Sequence, residues 1–431
     1  MDIKCISPID GRYHKRLERL SAYFSEYALI KKRILVELLY LKALGKGDFT
    51  LIHENFDIKE AEIVKEIEKR TNHDIKAVEY YLREKVPDNV REFVHFGLTS
   101  EDINNLSYSL LIKNFLEDVF FDRMDDLLET LSDLSKKNKD LPMLAHTHGQ
   151  PASPTTVGKE FYVFYSRLKK QLDILNKIKL TGKLNGATGN YNALHFVQPE
   201  RDWIAFTKDF ITSLGLEPNL ITTQVESRDT LVELFQNIKR INNIILDLDR
   251  DLWLYISFDY FKVAKVKDEV GSSTMPHKIN PIDFENSEGN IKIANALLTA
   301  FEDLQISRLQ RDLSDSTMMR NIGVAFGHTM LAIDSAKKGL SKIEPNKAIL
   351  EKDLDSHPEI LAEAIQVFLK SRGIKEGYEL LKDFSRGEKM TLMELHKFID
   401  SLKISQNDKR LLKGLKPKNY IGPAADIARI D

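Results

Sequence analysis

The chain has 431 residues, 42% hydrophobic and 30% charged, a balance that excludes a disordered, collagen-like or low-complexity protein. With 63 Lys and Arg against 65 Asp and Glu, the formal net charge is -2, so no global attraction to nucleic acid or to an anionic membrane is expected and any basic site must be local. A single cysteine, Cys5, excludes intramolecular disulfides and multi-cysteine metal clusters and fits a reducing compartment, with the cytoplasm as the expected location.

The opening segment has no apolar run of signal-peptide type, and no later stretch approaches the ~18 to 20 uninterrupted apolar residues of a membrane span. Helix breakers are scarce, with 20 Gly and 13 Pro. Apolar residues at Leu116, Phe120, Met124, Leu127, Leu131 and Leu134 keep three- and four-residue steps, which predicts a long amphipathic helix over 116–134. After a Pro-containing connection at Pro151 and Pro154, the pattern returns at Val157, Phe161, Tyr165, Leu168, Leu172 and Leu175 and predicts a second helix. No Gly or Pro falls between Pro218 and Gly271, and Leu231, Leu234, Ile238, Ile241, Ile245, Leu248 and Leu252 form a seam like that of a coiled coil. Two further helices are predicted over 286–304 and 321–340.

Five long helices in the middle of the chain predict an all-α fold built on a helical bundle. The expected division is an N-terminal helical domain over 1–108, a central long-helix domain over 109–344 and a C-terminal helical domain over 345–431. Several wide apolar stripes favour association between chains as much as burial within one.

Chemistry is expected in the Gly-containing stretches between the helices, at 146–154, 182–192 and 271–281. The third, Gly271-Ser272-Ser273-Thr274-Met275-Pro276-His277-Lys278-Ile279-Asn280-Pro281, places hydroxyls, a Lys and an Asn before a helix whose first turn holds Asp283 and Glu285. Small residues let backbone N–H groups approach an anion, and Lys278 adds a point charge, which suits a carboxylate or a phosphate. A solvated loop with a Pro stop would have the same composition. Thr99 and Asp102 form a T-x-x-D capping box, and the same helix end could bind a carboxylate through Thr99 and Ser100. His146 and His148 have a spacing that could present two ligands to a metal, but no Cys or carboxylate accompanies them.

The run GSSTMPHKINP resembles the signature loop of the fumarase, aspartase and argininosuccinate lyase superfamily. Ser7-Pro8-Ile9-Asp10-Gly11-Arg12-Tyr13, Thr71-Asn72-His73-Asp74, Thr99-Ser100-Glu101-Asp102-Ile103-Asn104-Asn105, Thr147-His148-Gly149-Gln150-Pro151-Ala152, Arg311-Asp312-Leu313-Ser314-Asp315-Ser316 and Asn419-Tyr420-Ile421-Gly422 narrow the resemblance to its adenylosuccinate lyase family. The likeness runs in order from about residue 7 to about residue 422. It implies three all-helical domains and a homotetramer with a twenty-helix core, with active sites shared between chains. It also implies elimination of fumarate from adenylosuccinate and from the succinyl-carboxamide imidazole ribotide of purine synthesis, with no cofactor and no metal.

Residue by residue, the resemblance makes His148 the general acid, Ser272 the general base, Lys278 the cation of the signature loop and Glu285 the carboxylate that orients His148. Thr99 and Ser100 would hold a substrate carboxylate, and His95 a phosphate. Arg12 and Tyr13 would contact phosphate and ribose, and Asn72, His73 and Asp74 would line the nucleotide site. Gln224, Asn280, Arg311, Ser316 and Arg320 complete the expected substrate contacts. His146 departs from the family, which commonly has Arg or another residue there. The competing readings are another fumarate-releasing lyase, whose substrate would lack the nucleotide phosphate, and a non-catalytic protein on the same scaffold.

Overall fold

The computed structural model describes residues 4–265, 275, 277–374, 381 and 390–429. Helices dominate it: α1 (Glu26–Ala43), α2 (Ile58–Thr71), α3 (Asp74–Lys85), α4 (Ser100–Phe115), α5 (Phe121–Lys137), α6 (Val157–Leu175), α7 (Trp203–Ser213), α8 (Asp229–Ser257), α9 (Ile282–Ala300), α10 (Ser314–Met319), α11 (Ile322–Ser341), α12 (Lys347–Asp355), α13 (Ala362–Ser371), α14 (Leu392–Ser401) and α15 (Gln406–Lys413). Among the described residues, six short strands pair two by two. Strands β1 (Pro142–Thr147) and β2 (Gln150–Thr156) form an antiparallel hairpin, β3 (Thr181–Gly182) lies parallel to β4 (Glu217–Pro218), and β5 (Phe261–Val263) is antiparallel to β6 (Ile343–Pro345).

The predicted long helices are present. The second coincides with α6, the seam lies in the 29-residue α8, and the last two are α9 and α11. The first differs. Residues 116–120 are a π turn joining α4 to α5, so the helical run extends from Ser100 to Lys137. No described helix is long and apolar enough to cross a membrane.

The chain divides into two compact units. The first comprises Met1–Asp125, Lys170–Asn243 and Ser287–Asp334. Its N-terminal core places Ile34, Leu38 and Leu41 of α1 against Ala77, Val78 and Leu82 of α3. A second core is aromatic: Phe115 of α4 lies with its ring centroid 4.8 Å from that of Phe326 on α11 and 4.9 Å from Phe24, and Phe235 of α8 is 6.1 Å from Phe326. Such offset and edge contacts hold the helices at fixed separations. Local caps set the starts. Ser25 accepts from Ala28 N–H for α1, Asp57 from Glu60 N–H for α2, and His73 Nδ1 from Lys76 N–H for α3.

The second unit comprises Asp126–Lys169, Ile244–Asn286 and Ser335–Asp431. Leu144 of β1 is buried in a core with Leu354, Leu361, Ile365, Leu369, Leu395 and Ile399, so the C-terminal helices support one strand of the hairpin. Glu363 of α13 also accepts hydrogen bonds from Ser153 of β2 and from the Tyr420 hydroxyl.

Leu38 is wholly buried, whereas Leu51 is 67% exposed. Leu38→Ala is expected to lower unfolding free energy by about 2–5 kcal/mol and Leu51→Ala by no more than about 0.5 kcal/mol. Urea unfolding monitored by circular dichroism checks this, and equal midpoints for the two variants would contradict the assigned packing.

Candidate active site

The start of α4 organises most of the expected site residues in the first unit. The capping box predicted at Thr99 and Asp102 is formed, and the Asp102 Oδ2 accepts from Thr99 N–H at 2.8 Å. Behind it the helix carries Glu101, Asp102, Asn104 and Asn105, and each reaches a different segment.

Glu101 is buried and accepts from two arginines. Its Oε1 lies 2.7 Å from Arg228 Nη2 and its Oε2 lies 3.1 Å from Arg311 Nη1. The same Arg228 Nη2 reaches Asp315 of α10 at 2.7 Å. Arg311 is thus held in place beside α10, which also carries Ser316. Asn104 accepts from Arg33 Nε at 3.0 Å, Arg33 Nη2 pairs with Asp74 Oδ2 at 2.7 Å, and Arg320 Nη2 shares that oxygen at 3.0 Å. Burial pushes the Asp74 carboxyl up, but the two guanidinium groups outweigh it and hold the group below its ordinary value. Asp74 therefore serves first as the anchor of Arg320. The N-cap of α3 is His73, while Asn72 ends α2 in the left-handed conformation at φ +50°.

Asp102 and Lys183 form an ion pair at 2.8 Å with both side chains wholly enclosed. The Asp102 Oδ1 also accepts from Asn185 N–H and Gly186 N–H. Gln224 donates from Nε2 to Thr99 Oγ1 at 3.4 Å, next to Ser100. The adjoining loop requires glycine at 189, where φ is +81° and a Cβ would meet the Thr222 carbonyl oxygen at 2.1 Å.

His95 is also in the left-handed region, at φ +59°. The wholly buried Glu37 clamps it, with Oε1 2.5 Å from His95 Nδ1 and Oε2 3.2 Å from His95 N–H. Burial pushes the His95 imidazole down, but the Glu37 carboxylate, with Glu79 and Asp102 behind it, outweighs burial and raises it above the ordinary 6.5. Arg12 is exposed on the N-terminal turn, and Tyr13 beside it is half-buried.

The second unit carries the remaining described candidates. His148 and Gly149 are the two central residues of the β1–β2 hairpin, with φ +54° and +73°, the signature of a type I′ turn. The turn presents the His148 ring to solvent, and for a non-glycine residue this backbone is strained, as is common at functional positions. Two residues earlier, His146 packs its ring 5.6 Å from Phe258 and 6.1 Å from Tyr260. Lys278 is exposed and Asn280 half-buried. Glu285, expected to orient His148, instead accepts from Trp253 Nε1 at 3.1 Å. Among the described residues no hydrogen bond joins Glu285 to His148. Ser272, the expected base, and Ser273 lie outside the described residues, as do Gly271, Thr274 and Pro276 of the signature loop. No group of three or more metal-ligating side chains gathers among the described residues.

Sequence reasoning missed Arg33, Glu37, Lys183 and Arg228 as supporting residues, and Trp253 beside Glu285. Lys183 alone carried a signal, as an isolated charge in the otherwise uncharged segment from Leu180 to Tyr191. The others lie inside ordinary helical or charged patterns, and only their distant partners distinguish them.

The scaffold that carries these groups is one of long helices with short paired strands. Among solved structures, a fumarate lyase from Mesorhizobium sp. BNC1 has the same fold, with TM-score 0.80 and 20% identity over 95% of this chain and 96% of that one. A 3-carboxy-cis,cis-muconate lactonizing enzyme from Pseudomonas putida follows with TM-score 0.75 and 21% identity over 95% of each chain. A lyase family model matches residues 11–296 and an adenylosuccinate lyase C-terminal model matches residues 307–421. Adenylosuccinate lyases from Haemophilus influenzae and Escherichia coli K12 are each 44% identical, over 99% and 98% of this chain and 98% and 97% of their own lengths. That from Legionella pneumophila strain Corby is 45% identical over 99% of this chain and 98% of its own. The chain belongs to the adenylosuccinate lyase family.

The Glu37 clamp has a pH signature. Because His95 is raised in the folded state, its contribution to stability is complete below the unfolded value of about 6.5 and is lost as pH rises through the folded value. In Glu37→Gln the histidine is expected to titrate lower than in wild type, and the stability margin of wild type over variant should shrink across that same window. NMR titration of His95 with unfolding at several pH values checks this, and an unmoved titration would contradict the clamp.

Proposed function

We propose that the chain catalyses elimination of fumarate from adenylosuccinate, giving AMP, and the parallel elimination from the succinyl-carboxamide imidazole ribotide. One observation carries the reading: the 44–45% identity to adenylosuccinate lyases extends over 98–99% of the chain. The geometry at the start of α4 supports it. The groups proposed to bind anions are held there by buried or half-buried partners, with Arg311 on Glu101, Arg320 on Asp74 and His95 on Glu37.

In the proposed mechanism Ser272, as its alkoxide, takes the proton from the carbon next to a succinyl carboxylate. The electron pair left behind spreads onto that carboxylate, where hydroxyls of Thr99 and Ser100, the Gln224 amide and the positive end of α4 receive the added charge. Expulsion of the nitrogen then breaks the C–N bond and forms the double bond of fumarate, and His148 protonates the departing nitrogen. A serine hydroxyl is a weak base, so its alkoxide needs a cation, and Lys278 in the same loop is the available one. Arg12, Tyr13, Asn72, His73, Asp74, Ser316 and Asn280 complete the proposed nucleotide contacts. The acid, the base and the charge stabilisers of this mechanism are all groups of the chain itself, so the chemistry calls for no cofactor.

The proposed assembly is a homotetramer with sites completed by neighbouring chains. Trp253, Leu254 and Phe258 of the α8 region are large, exposed apolar groups of the kind that association covers. His148 and Glu285 would then meet as groups from different chains.

Two outcomes are expected in a spectrophotometric assay of fumarate release. The dephosphorylated nucleoside analogue should react at least about tenfold worse than adenylosuccinate, since one lost charge-assisted contact is worth ~1.5 to 3 kcal/mol. Equal rates would remove the phosphate assignment. Ser272→Ala should lower kcat at least ~10²-fold with substrate binding within a few-fold, and Ser273→Ala should be much milder. The reverse ranking would assign the base to the other serine.

A further inference from the structure

Lys183 lies one residue after β3, and its ammonium is wholly enclosed. It has three N–H donors, and three acceptors take them: Asp102 Oδ1 at 2.8 Å, the Gly186 carbonyl at 3.0 Å and the Gln224 carbonyl at 2.9 Å. No donor remains for a substrate. The backbone of Lys183 is fixed as well, its N–H donating to Asn105 Oδ1 at 2.8 Å and its carbonyl accepting from Asn105 Nδ2 at 3.1 Å.

These acceptors belong to segments far apart in the chain. Asp102 closes the capping box on Thr99, the Gly186 carbonyl belongs to the tight 185–189 loop, and the third carbonyl is that of Gln224 itself. A capping box needs only one carboxylate oxygen. Here the second oxygen is committed to the loop and to the lysine, which ties the helix start to two other segments. Stability alone gives little reason for an enclosed ion pair, because desolvation offsets most of the Coulomb attraction and an apolar pair of similar volume would serve as well. What an apolar pair would lack is a fixed point for two carbonyls and a helix cap at once.

We propose that Lys183 is a positioning residue for the elimination, acting through Asp102 and the Gln224 carbonyl to set Thr99, Ser100 and Gln224 at the spacing that grips the succinyl carboxylate. The proposal rests on the activity assigned above and deepens it. The ammonium touches no reacting atom; it determines where the groups that do so stand. Displacement of such groups by about 1 Å can cost ~10²-fold in rate.

Lys183→Met alone would leave the Asp102 carboxylate enclosed and unpaired, and that variant can fail to fold. The test therefore uses the neutral pair Lys183→Met with Asp102→Asn, together with Lys183→Arg, which keeps the charge but not the compact three-donor geometry. Wild type and variants are compared in adenylosuccinate turnover and in product inhibition by fumarate and by AMP. Lys183→Arg is expected to lose at least about tenfold in kcat/KM and the neutral pair about 10²-fold. In both, fumarate inhibition should weaken in step while AMP inhibition stays within about twofold, a split that a general loss of structure would not produce.

Should the neutral pair fail to fold, the same split in Lys183→Arg supports the proposal and its absence overturns it. Kinetics within threefold of wild type in Lys183→Arg, or equal weakening of fumarate and AMP inhibition in either variant, would also overturn it. A wild-type protein that releases no fumarate from adenylosuccinate would contradict the assigned activity instead, so the two failures are distinguishable.

Discussion

Two adjacent carboxylates, Glu101 and Asp102, are buried in the first turn of α4, and the first compact unit is arranged around the need to neutralise them. Taking a charge out of water costs on the order of several kcal/mol after relaxation, so each carboxylate requires cations and N–H donors close by. Glu101 obtains Arg228 and Arg311, and Asp102 obtains Lys183 with three backbone N–H groups. Apart from the local Thr99 N–H, these partners come from residues 183–186, 228 and 311, which no local propensity would bring to one helix end. Burial of two charges thereby fixes the long-range geometry of the segments that carry the groups proposed to bind anions.

The same logic extends outward by one layer. Arg33 bridges Asn104 of α4 to Asp74, and Asp74 in turn holds Arg320. Glu37 of α1 holds His95 just before α4 begins. Arg311, Arg320 and His95, three of the groups proposed to receive the anionic parts of the substrate, are thus each held by a buried or half-buried partner before any substrate arrives. Such prior fixing of donors and cations lowers the reorganisation required when charge develops on the substrate.

The helices were legible because apolar steps of three and four residues record which face is buried, and α6, α8 and α11 lie where the spacing put them. The π turn at 116–120 was not legible, since one widened turn barely disturbs that spacing within a helix that continues on both sides. The β1–β2 hairpin was hidden for another reason. A register irregularity between Met143 and Ala145 breaks the two-residue alternation that would have announced a strand. At the site, motif likeness named Thr99, His148, Gln224 and Arg311, and the capping box at Asp102 was read from spacing alone. The second role of Asp102 and the roles of Lys183, Arg228 and Glu37 were out of reach, because a buried charge is defined by a partner tens of residues away. His146 illustrates the same limit: its aromatic neighbours Phe258 and Tyr260 lie more than a hundred residues further along the chain.

The central claim is that the start of α4 arranges a dicarboxylate site and a separate nucleotide-phosphate site in advance of binding. A crystal structure of the protein with fumarate and AMP bound tests it most directly. The expected result is a fumarate carboxylate within hydrogen-bonding distance of Thr99, Ser100 and Gln224, with the Glu101, Asp102 and Lys183 contacts unchanged from those described above. Fumarate bound away from the start of α4, or a helix start that rebuilds its buried ion pairs on binding, would contradict it.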